Sequence, residues 1–377
     1  MWQERDEVDA MLVASAREHY RREGRGRACR AHVDREGADA SLEAAVKQGW
    51  FSLLAPETAG GAGLGLLQAA LLARVMGEHV ARDPFISIGV MPTLALNCAG
   101  GALSTTMLRL IGTGKAELAL AWQEEGRALD LYPHLTTLQQ GPRRLALNGR
   151  KTLVAGHRLQ GHVLVSARRE AGVMLACLPV DRNGIQAHHR SMSDGSCVAD
   201  FDFVDVQVDD NEIIARDEIA LHCLRDAVVG ATVVLCAYLE GLAAGAVSLT
   251  TAYLKERRQF DQPLAEFQAL RHRIADVAIG VELAGASWRR ALGDLPASQA
   301  GASLPWTLRV AKARASEVAL LAGREGVQFH GAFGYTEESD IGLYLDAALR
   351  ASSWLGNAAE HRSVLARMDM PALAIHG

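Results

Sequence analysis

The sequence has no excess of positive charge. Its 39 lysines and arginines stand against 44 aspartates and glutamates, a net charge of −5. A chain whose main partner is nucleic acid carries the opposite balance, to neutralise phosphates, so nucleic acid is not expected as a partner. It has no paired cysteines. Cys29, Cys98, Cys177, Cys197, Cys223 and Cys236 are scattered, with no C-x-x-C among them. A disulfide framework is therefore not expected, and the six read as buried free thiols of a reducing cytoplasm. Zinc-ligand spacing is also missing. His188-His189 adjoins a turn signal, and His157 and His162 flank Gly161 without a third ligand, so no metal is expected. The opening MWQERDEVDA has no apolar core, and no signal peptide is expected from it. No internal repeat or low-complexity tract is present. The most apolar stretch, Ala227 to Leu254, is broken by Glu240 and by Gly230, Gly241 and Gly245. A membrane span needs roughly 20 lipid-facing apolar residues without such breaks. The stretch reads instead as the central helix of a large helical domain.

What is present is ordinary globular composition: 377 residues, 49% apolar and 22% charged, the length of two or three domains or one large one. Periodicity divides the chain at about 115 and 216. Residues 1–115 read as helical, with Val46, Trp50, Leu53 and Leu54 as one apolar stripe and Leu64 to Val80 as a helical run. A third run passes Pro84 and Pro92 and ends near Ile111. Residues 116–216 read as strands. Leu145 and Leu147 alternate with polar neighbours, and Asn148-Gly149 is a hairpin signal. Val163 to Val165 and Val173 to Leu178 are short apolar runs, and Phe201, Phe203, Val206 and Val208 alternate around Asp202 and Asp205. From 217 to 377 the helical period returns. Phe267, Leu270, Ile274, Val277 and Val281 share one helical face. Pro263 separates that helix from the one before it. Further helices are expected over about 306–329 and 341–367, with a turn between Leu295 and Pro305. Helices, then strands, then helices suggest a sheet docked on the side of packed helices, with a cofactor cleft between them.

Two segments carry a resemblance. Tyr253, Arg257, Phe260, Pro263, Leu264, Phe267 and Gln268 follow the pattern Y-x-x-x-R-x-x-F-G-x-P-L-x-x-F-Q of the acyl-CoA dehydrogenase family. Gln328, Gly331, Gly334, Tyr335 and Thr336 resemble its Q-x-x-G-G-x-G-Y-T loop. Weaker matches are Ala55-Pro56-Glu57-Thr58-Ala59-Gly60-Gly61 and Leu147-Asn148-Gly149-Arg150-Lys151. The resemblance covers nearly the whole chain. It implies an α+β multidomain fold: an N-terminal helical domain, a middle β-barrel domain and a C-terminal four-helix bundle. It implies FAD as cofactor and removal of hydrogens from Cα and Cβ of an acyl-CoA thioester. A carboxylate takes the Cα proton, the flavin takes the hydride, and an electron-transfer flavoprotein or other acceptor reoxidises it. Within the family the arginine, phenylalanine and glutamine loop reach a neighbouring subunit's FAD. Carried over, Arg257 grips the pyrophosphate with its forked donors, and Phe260, Gln328 and Gly331 line the adenine end. Taken alone, Arg257 reads first as part of the solvated Lys255–Arg258 charge run, and the second motif shifts the reading to the pyrophosphate role.

The departures are informative. The family's second loop glycine is Ala332, and the glycine after the motif phenylalanine is Asp261, whose carboxylate would repel a pyrophosphate unless it points away or caps the next helix. Glu124 aligns with a T-E-P glutamate, but the proline and a following G-S-D are missing. Thr152 stands where a flavin-stacking tryptophan is usual. The two family positions for the base hold Leu355, before Gly356, and Ala231, 22 residues ahead of Tyr253. A shift of register there gives Gly230 or Thr232. Asp226, Glu240 and Glu360 lie nearby and read as surface or pairing carboxylates. Elements that would serve a neighbour's flavin are retained, whereas those that would serve this chain's own flavin and substrate are eroded. The resemblance therefore implies the base-lacking subunit of an α2β2 assembly with one FAD per heterodimer, as in members of the family from bacterial steroid or bulky acyl-CoA catabolism. A self-sufficient homo-oligomer with an unaligned base, and a flavin-free non-enzymatic relative, stay open at this point.

Overall fold

The computed structural model describes residues 2–23, 35–81, 83–126, 129–140, 144–156, 158–159, 161–170, 172–192, 194, 196–295 and 304–368. Cys29, His157, Arg127, Ala128 and most of the turn expected between Leu295 and Pro305 lie outside these described residues. Among the described residues five α-helices come first: α1 (Trp2–Glu23), α2 (Arg35–Lys47), α3 (Leu66–Glu78), α4 (Met91–Ala99) and α5 (Gly101–Gly112). The stripe from Val46 to Leu54 does not lie on one helix. Gly49 turns left-handed at φ 76°, α2 stops at Lys47, and Trp50–Ser52 continue as a 3-10 turn, which still buries Trp50, Leu53 and Leu54.

Eight strands follow: β1 (Leu118–Ala121), β2 (Thr137–Gln140), β3 (Leu145–Gly156), β4 (His162–Arg169), β5 (Gly172–Pro179), β6 (Ile185–Ser191), β7 (Cys197–Val208) and β8 (Ile213–Arg216). They pair in the order β6-β7-β3-β2-β4-β5-β8, with β1 parallel to β4. The two-residue period divides their side chains between two cores. Ala119, Val163, Val165, Met174, Ala176, Leu178, Phe201 and Phe203 pack within the sheet's own interior. Their alternates Leu118, Leu120, Leu164, Val173, Leu175 and Cys177 join the helical core. The sheet is therefore docked on the helices through one face of β1, β4 and β5.

Asn148-Gly149 does not form a hairpin. It lies inside β3, where the pairing with β7 slips between Leu147 and Gly149. A β-carbon on Gly149 would stand 2.6 Å from Thr136 Cα, so the glycine admits a crossing chain. Asn148 Oδ1 accepts the Asp205 amide at 2.9 Å. Asp205 has φ 50°, and the same slip moves the inward residues of β7 from Phe201 and Phe203 to Val206 and Val208. His188 and His189 lie within β6 rather than beside a turn.

The last part is helical: α6 (Asp217–Glu256), α7 (Gln268–Asp294), α8 (Trp306–His330), α9 (Ile341–Ser353) and α10 (Ala358–Leu365), with a small β9–β10 hairpin (Arg258–Gln259 and Gln262–Pro263) after α6. α6 is apolar on nearly all sides because α3, α4, α7, α8 and α9 surround it. It is also the one described helix long and apolar enough to cross a membrane, and 89% of its most apolar window is buried inside the protein. On α7, Val277 and Val281 are buried, whereas Phe267, Leu270 and Ile274, nearer the hairpin, are half-buried. The helix expected over 341–367 is two helices, broken where Leu355 and Gly356 are left-handed. Cys177, Cys223 and Cys236 are buried free thiols; Cys98 and Cys197 are half-buried.

Candidate functional site

α6 ends because Arg257 turns extended (φ −71°, ψ 120°) while its amide still donates to Tyr253 O at 2.8 Å. The chain reverses at once. Arg258 pairs with Pro263 and Gln259 with Gln262, leaving Phe260 and Asp261 as the two turn residues. Both are left-handed, at φ 54° and 64°. A two-residue hairpin of this kind needs positive φ at both positions, which suits Asn and Gly and strains Phe. Phe260 is 84% exposed and meets Phe267 edge-on at 6.1 Å. Asp261 caps no helix: it is exposed at the hairpin tip, and α7 begins later, at Gln268. The Arg257 side chain is exposed, and among the described residues its guanidinium has no hydrogen-bond or ion-pair partner.

The second loop follows α8, whose end packs on the end of α6. α8 ends at His330, and Gly331 (φ 63°, ψ −143°) holds a conformation open to glycine and to almost nothing else while its amide donates to Gln328 O. Residues Gly331–Tyr335 form a 3-10 turn. Gln328 is exposed, and Ala332, in place of the second glycine, is exposed without a positive φ. Stacking joins the two helix ends. The Tyr253 ring lies 4.2 Å from His330 at 22°, with Phe333 beyond at 6.5 Å, and the Tyr253 hydroxyl donates to His330 O at 3.4 Å. His330 Nδ1–H donates to Gly326 O at 2.8 Å, and burial holds the ring's pKa below its usual value. The fold thus packs the end of α6, which leads into Arg257 and Phe260, on the end of α8, which carries Gln328 and leads into Gly331. His330, the residue under Tyr253, was not singled out from the sequence. Its place one residue before Gly331 was the available signal.

Glu124 and Thr152 are placed differently. Glu124 is 3% exposed and accepts the amides of His134 and Leu135 at 2.8 Å, the amide of Thr136 at 2.9 Å and Lys151 Nζ at 2.9 Å. Lys151 is fully buried and also donates to Trp122 O and Ser166 Oγ. Burial alone would raise the Glu124 carboxyl. The Lys151 ammonium and the Leu135 and Thr136 amides outweigh it and hold the carboxyl at about 2. Burial pushes Lys151 down to about 8 against the pull of Glu124. The carboxylate is occupied by its own chain. Thr152 donates its amide to Gln123 O at 2.9 Å and is half-buried; it presents no ring. After it, Leu153 is left-handed (φ 54°) and the strand register slips.

Leu355 and Ala231 are both buried in the helical core. Leu355 sits in the α9–α10 break, and its carbonyl accepts His361 Nε2–H at 3.0 Å. A β-carbon on neighbouring Gly356 would be 2.8 Å from Leu129 Cδ1, so this turn presses on the segment that follows Glu124. Around Ala231, Gly230 is packed by Leu94, and the Thr232 hydroxyl donates to Val228 O. Glu240 is a buried acceptor for Arg74 at 2.9 Å and for Trp288 Nε1 at 2.7 Å. Glu360 accepts the Asn357 amide at 2.8 Å in a capping box at the start of α10. Asp226 is exposed. The carboxylates near the base positions thus have structural partners or face solvent.

The model of the acyl-CoA dehydrogenase C-terminal domain matches residues 230–368. Acyl-CoA dehydrogenase FadE28 of Mycobacterium tuberculosis is 32% identical over 244 residues, which is 64% of this chain and 67% of that relative. Among solved structures, a variant of the steroid ACAD Tcur3481-Tcur3483 superposes with a TM-score of 0.81 at 25% identity, covering 96% of this chain and 97% of that one. The ChsE4-ChsE5 complex of Mycobacterium tuberculosis gives 0.79 at 21% identity, covering 98% of each chain.

Proposed function

Because the chain belongs to the acyl-CoA dehydrogenase family, we propose that it is a flavin-gripping, base-lacking subunit of a hetero-oligomer that dehydrogenates an acyl-CoA thioester between Cα and Cβ. One observation carries the reading. An exposed guanidinium with no partner among the described residues, three residues before a strained exposed aromatic ring, coexists with apolar, buried side chains at both base positions. A cation left open at a folded surface suits an anion brought by another molecule.

Arg257, Phe260, Gln328 and Gly331 fit the pyrophosphate and adenine end of an FAD seated mainly in an adjoining chain. Arg257 supplies charge and paired donors, Gln328 an amide, Gly331 an open backbone, and Phe260 a face to lie against. Glu124 and Thr152 do not fit the isoalloxazine end in this chain, since one is occupied internally and the other lacks a ring. The bound flavin supplies the hydride acceptor, and the proton acceptor belongs to a homologous partner subunit. We extend to this chain the pairing that the names of Tcur3481-Tcur3483 and ChsE4-ChsE5 describe, as an α2β2 tetramer acting on a steroid-derived or other bulky acyl-CoA in the cytoplasm. An electron-transfer flavoprotein or similar acceptor completes the cycle. Divisions near residues 115 and 216 mark the helical, sheet and bundle domains of this proposal.

Co-expression with a base-containing homologue tests it. The chain purified alone is expected to be colourless, and the complex to show flavin absorbance and acyl-CoA-dependent dye reduction. One flavin per chain in the solo preparation, with activity, would instead establish the self-sufficient enzyme.

A further inference from the structure

Beneath the Leu355 turn lies a lysine that the proposed reaction does not use. Lys312, on α8, is fully buried. Its Nζ donates to Ser316 Oγ at 2.9 Å, Ser352 O at 3.0 Å and Gly356 O at 2.8 Å, so all three protons are engaged. Among the described residues no carboxylate stands within ion-pairing distance of it. Burial pushes the ammonium down to about 8, opposed by Cys236 and Glu360 at longer range. A buried cation without a counter-ion is unfavourable, and an apolar side chain of similar length would fill the space without that penalty.

What the ammonium supplies is specific to the backbone. A helix end leaves carbonyls without partners, and Ser352 O belongs to the last turn of α9. Gly356 O lies on the far side of the two left-handed residues, Leu355 (φ 55°) and Gly356 (φ 89°). One atom therefore bridges the break. The other groups of the turn are held from different elements. His361 of α10 holds Leu355 O. The Arg350 guanidinium covers the Trp354 ring at 5.0 Å and donates to Ser196 Oγ, in the loop before β7, at 3.1 Å. A strained turn persists when its surroundings over-determine it in this way.

We propose that Lys312 is a positioning residue that locks the Leu355–Gly356 turn against Leu129, so that this chain presents a fixed apolar wall where its family places a base. The functional consequence rests on the reading given above, whereas the lock itself does not.

Hydrogen–deuterium exchange on the full chain tests the lock. In Lys312→Met, peptides spanning residues 352–357 are expected to exchange at least tenfold faster, while peptides from 233–239 in α6 keep their protection. Lys312→Gln, which retains an amide donor, is expected to recover part of the protection, and it serves as the readout if Lys312→Met does not fold. Val318→Ala, a core truncation on the same helix, controls for general destabilisation and should leave the turn protected. Exchange in the Lys312 variants within twofold of wild type would overturn the assignment. So would equal loosening of the turn in Val318→Ala. Flavin content of the co-expressed complex is read separately, and a colourless complex would count against the proposed function and not against the lock.

Discussion

Phe260 and Leu355 share an uncommon backbone. Each is a bulky non-glycine residue with φ near 55°, in a short connection between helices. Their surroundings are opposite. Phe260 is 84% exposed beside an Arg257 with no partner among the described residues; Leu355 is 4% exposed in a turn whose carbonyls are held by Lys312 and His361. Along α8, Lys312 and Gln328 stand about 24 Å apart at 1.5 Å per residue, so one helix serves both regions. Strain with open polar groups points outward, to a surface completed by another molecule. Strain with its carbonyls held from within the chain points inward, to a wall. The same contrast separates Arg257 from Glu124, whose four hydrogen bonds come from its own chain.

The contrast can be broken most directly inside the sheet. Lys151→Met leaves the buried Glu124 carboxylate without its cation and is expected to lower stability by about 3–5 kcal/mol, read from denaturant unfolding. The wild-type pair also predicts an acid limb. Glu124 lies at about 2 when folded against an ordinary 4.5, so its contribution is present above pH 4.5 and lost as pH falls toward 2. A Lys151→Met protein as stable as wild type would mean that Glu124 is not anchored as described. Leu355→Glu comes next. A carboxyl forced into the wall should cost roughly 2–3 kcal/mol and give no dye reduction by the lone chain; an active lone variant would erase the distinction between wall and site.

Arg257→Ala reads the outer region. Stability of the lone chain should stay within about 0.5 kcal/mol of wild type, as for an exposed side chain, while flavin retention in the complex falls tenfold or more. Unchanged retention in gel-filtered complex would remove Arg257 from the grip. The smallest effect, and one of opposite sign in the two states, is expected of Phe260→Gly. Relief of the left-handed strain should stabilise the lone chain by up to about 1 kcal/mol, and loss of the ring should weaken the complex. A variant neutral in both thermal melts and complex titration would leave the exposed strain without a role.

Much of the fold was legible because it rests on short-range signals. Val163 to Val165 is a short apolar run that reads as a strand, the alternation of Phe201 and Phe203 follows the two-residue period, and the stripe through Val277 and Val281 follows the helical one. Breaks within elements were less legible. Asn148-Gly149 has the composition of a hairpin, but Thr136 and β7 pass on either side of it, and that proximity is tertiary. The division of the 341–367 helix had local signals in Gly356 and the Asn357–Glu360 capping box, but the partner that bridges the break, Lys312, is some 40 residues earlier in the chain.

For the candidate site the same limit applies. Residue types alone established that a cationic, aromatic motif at Arg257 and Phe260 accompanies apolar residues at Leu355 and Ala231, since side-chain chemistry is a property of the residue. Only the packed chain decided which polar groups were left open: it stacked Tyr253 on His330 to join the ends of α6 and α8, engaged every lone pair of Glu124 and packed Gly356 against Leu129. Whether a polar group is open depends on what lies within about 3 Å of it, and in a folded chain those neighbours are mostly distant in sequence.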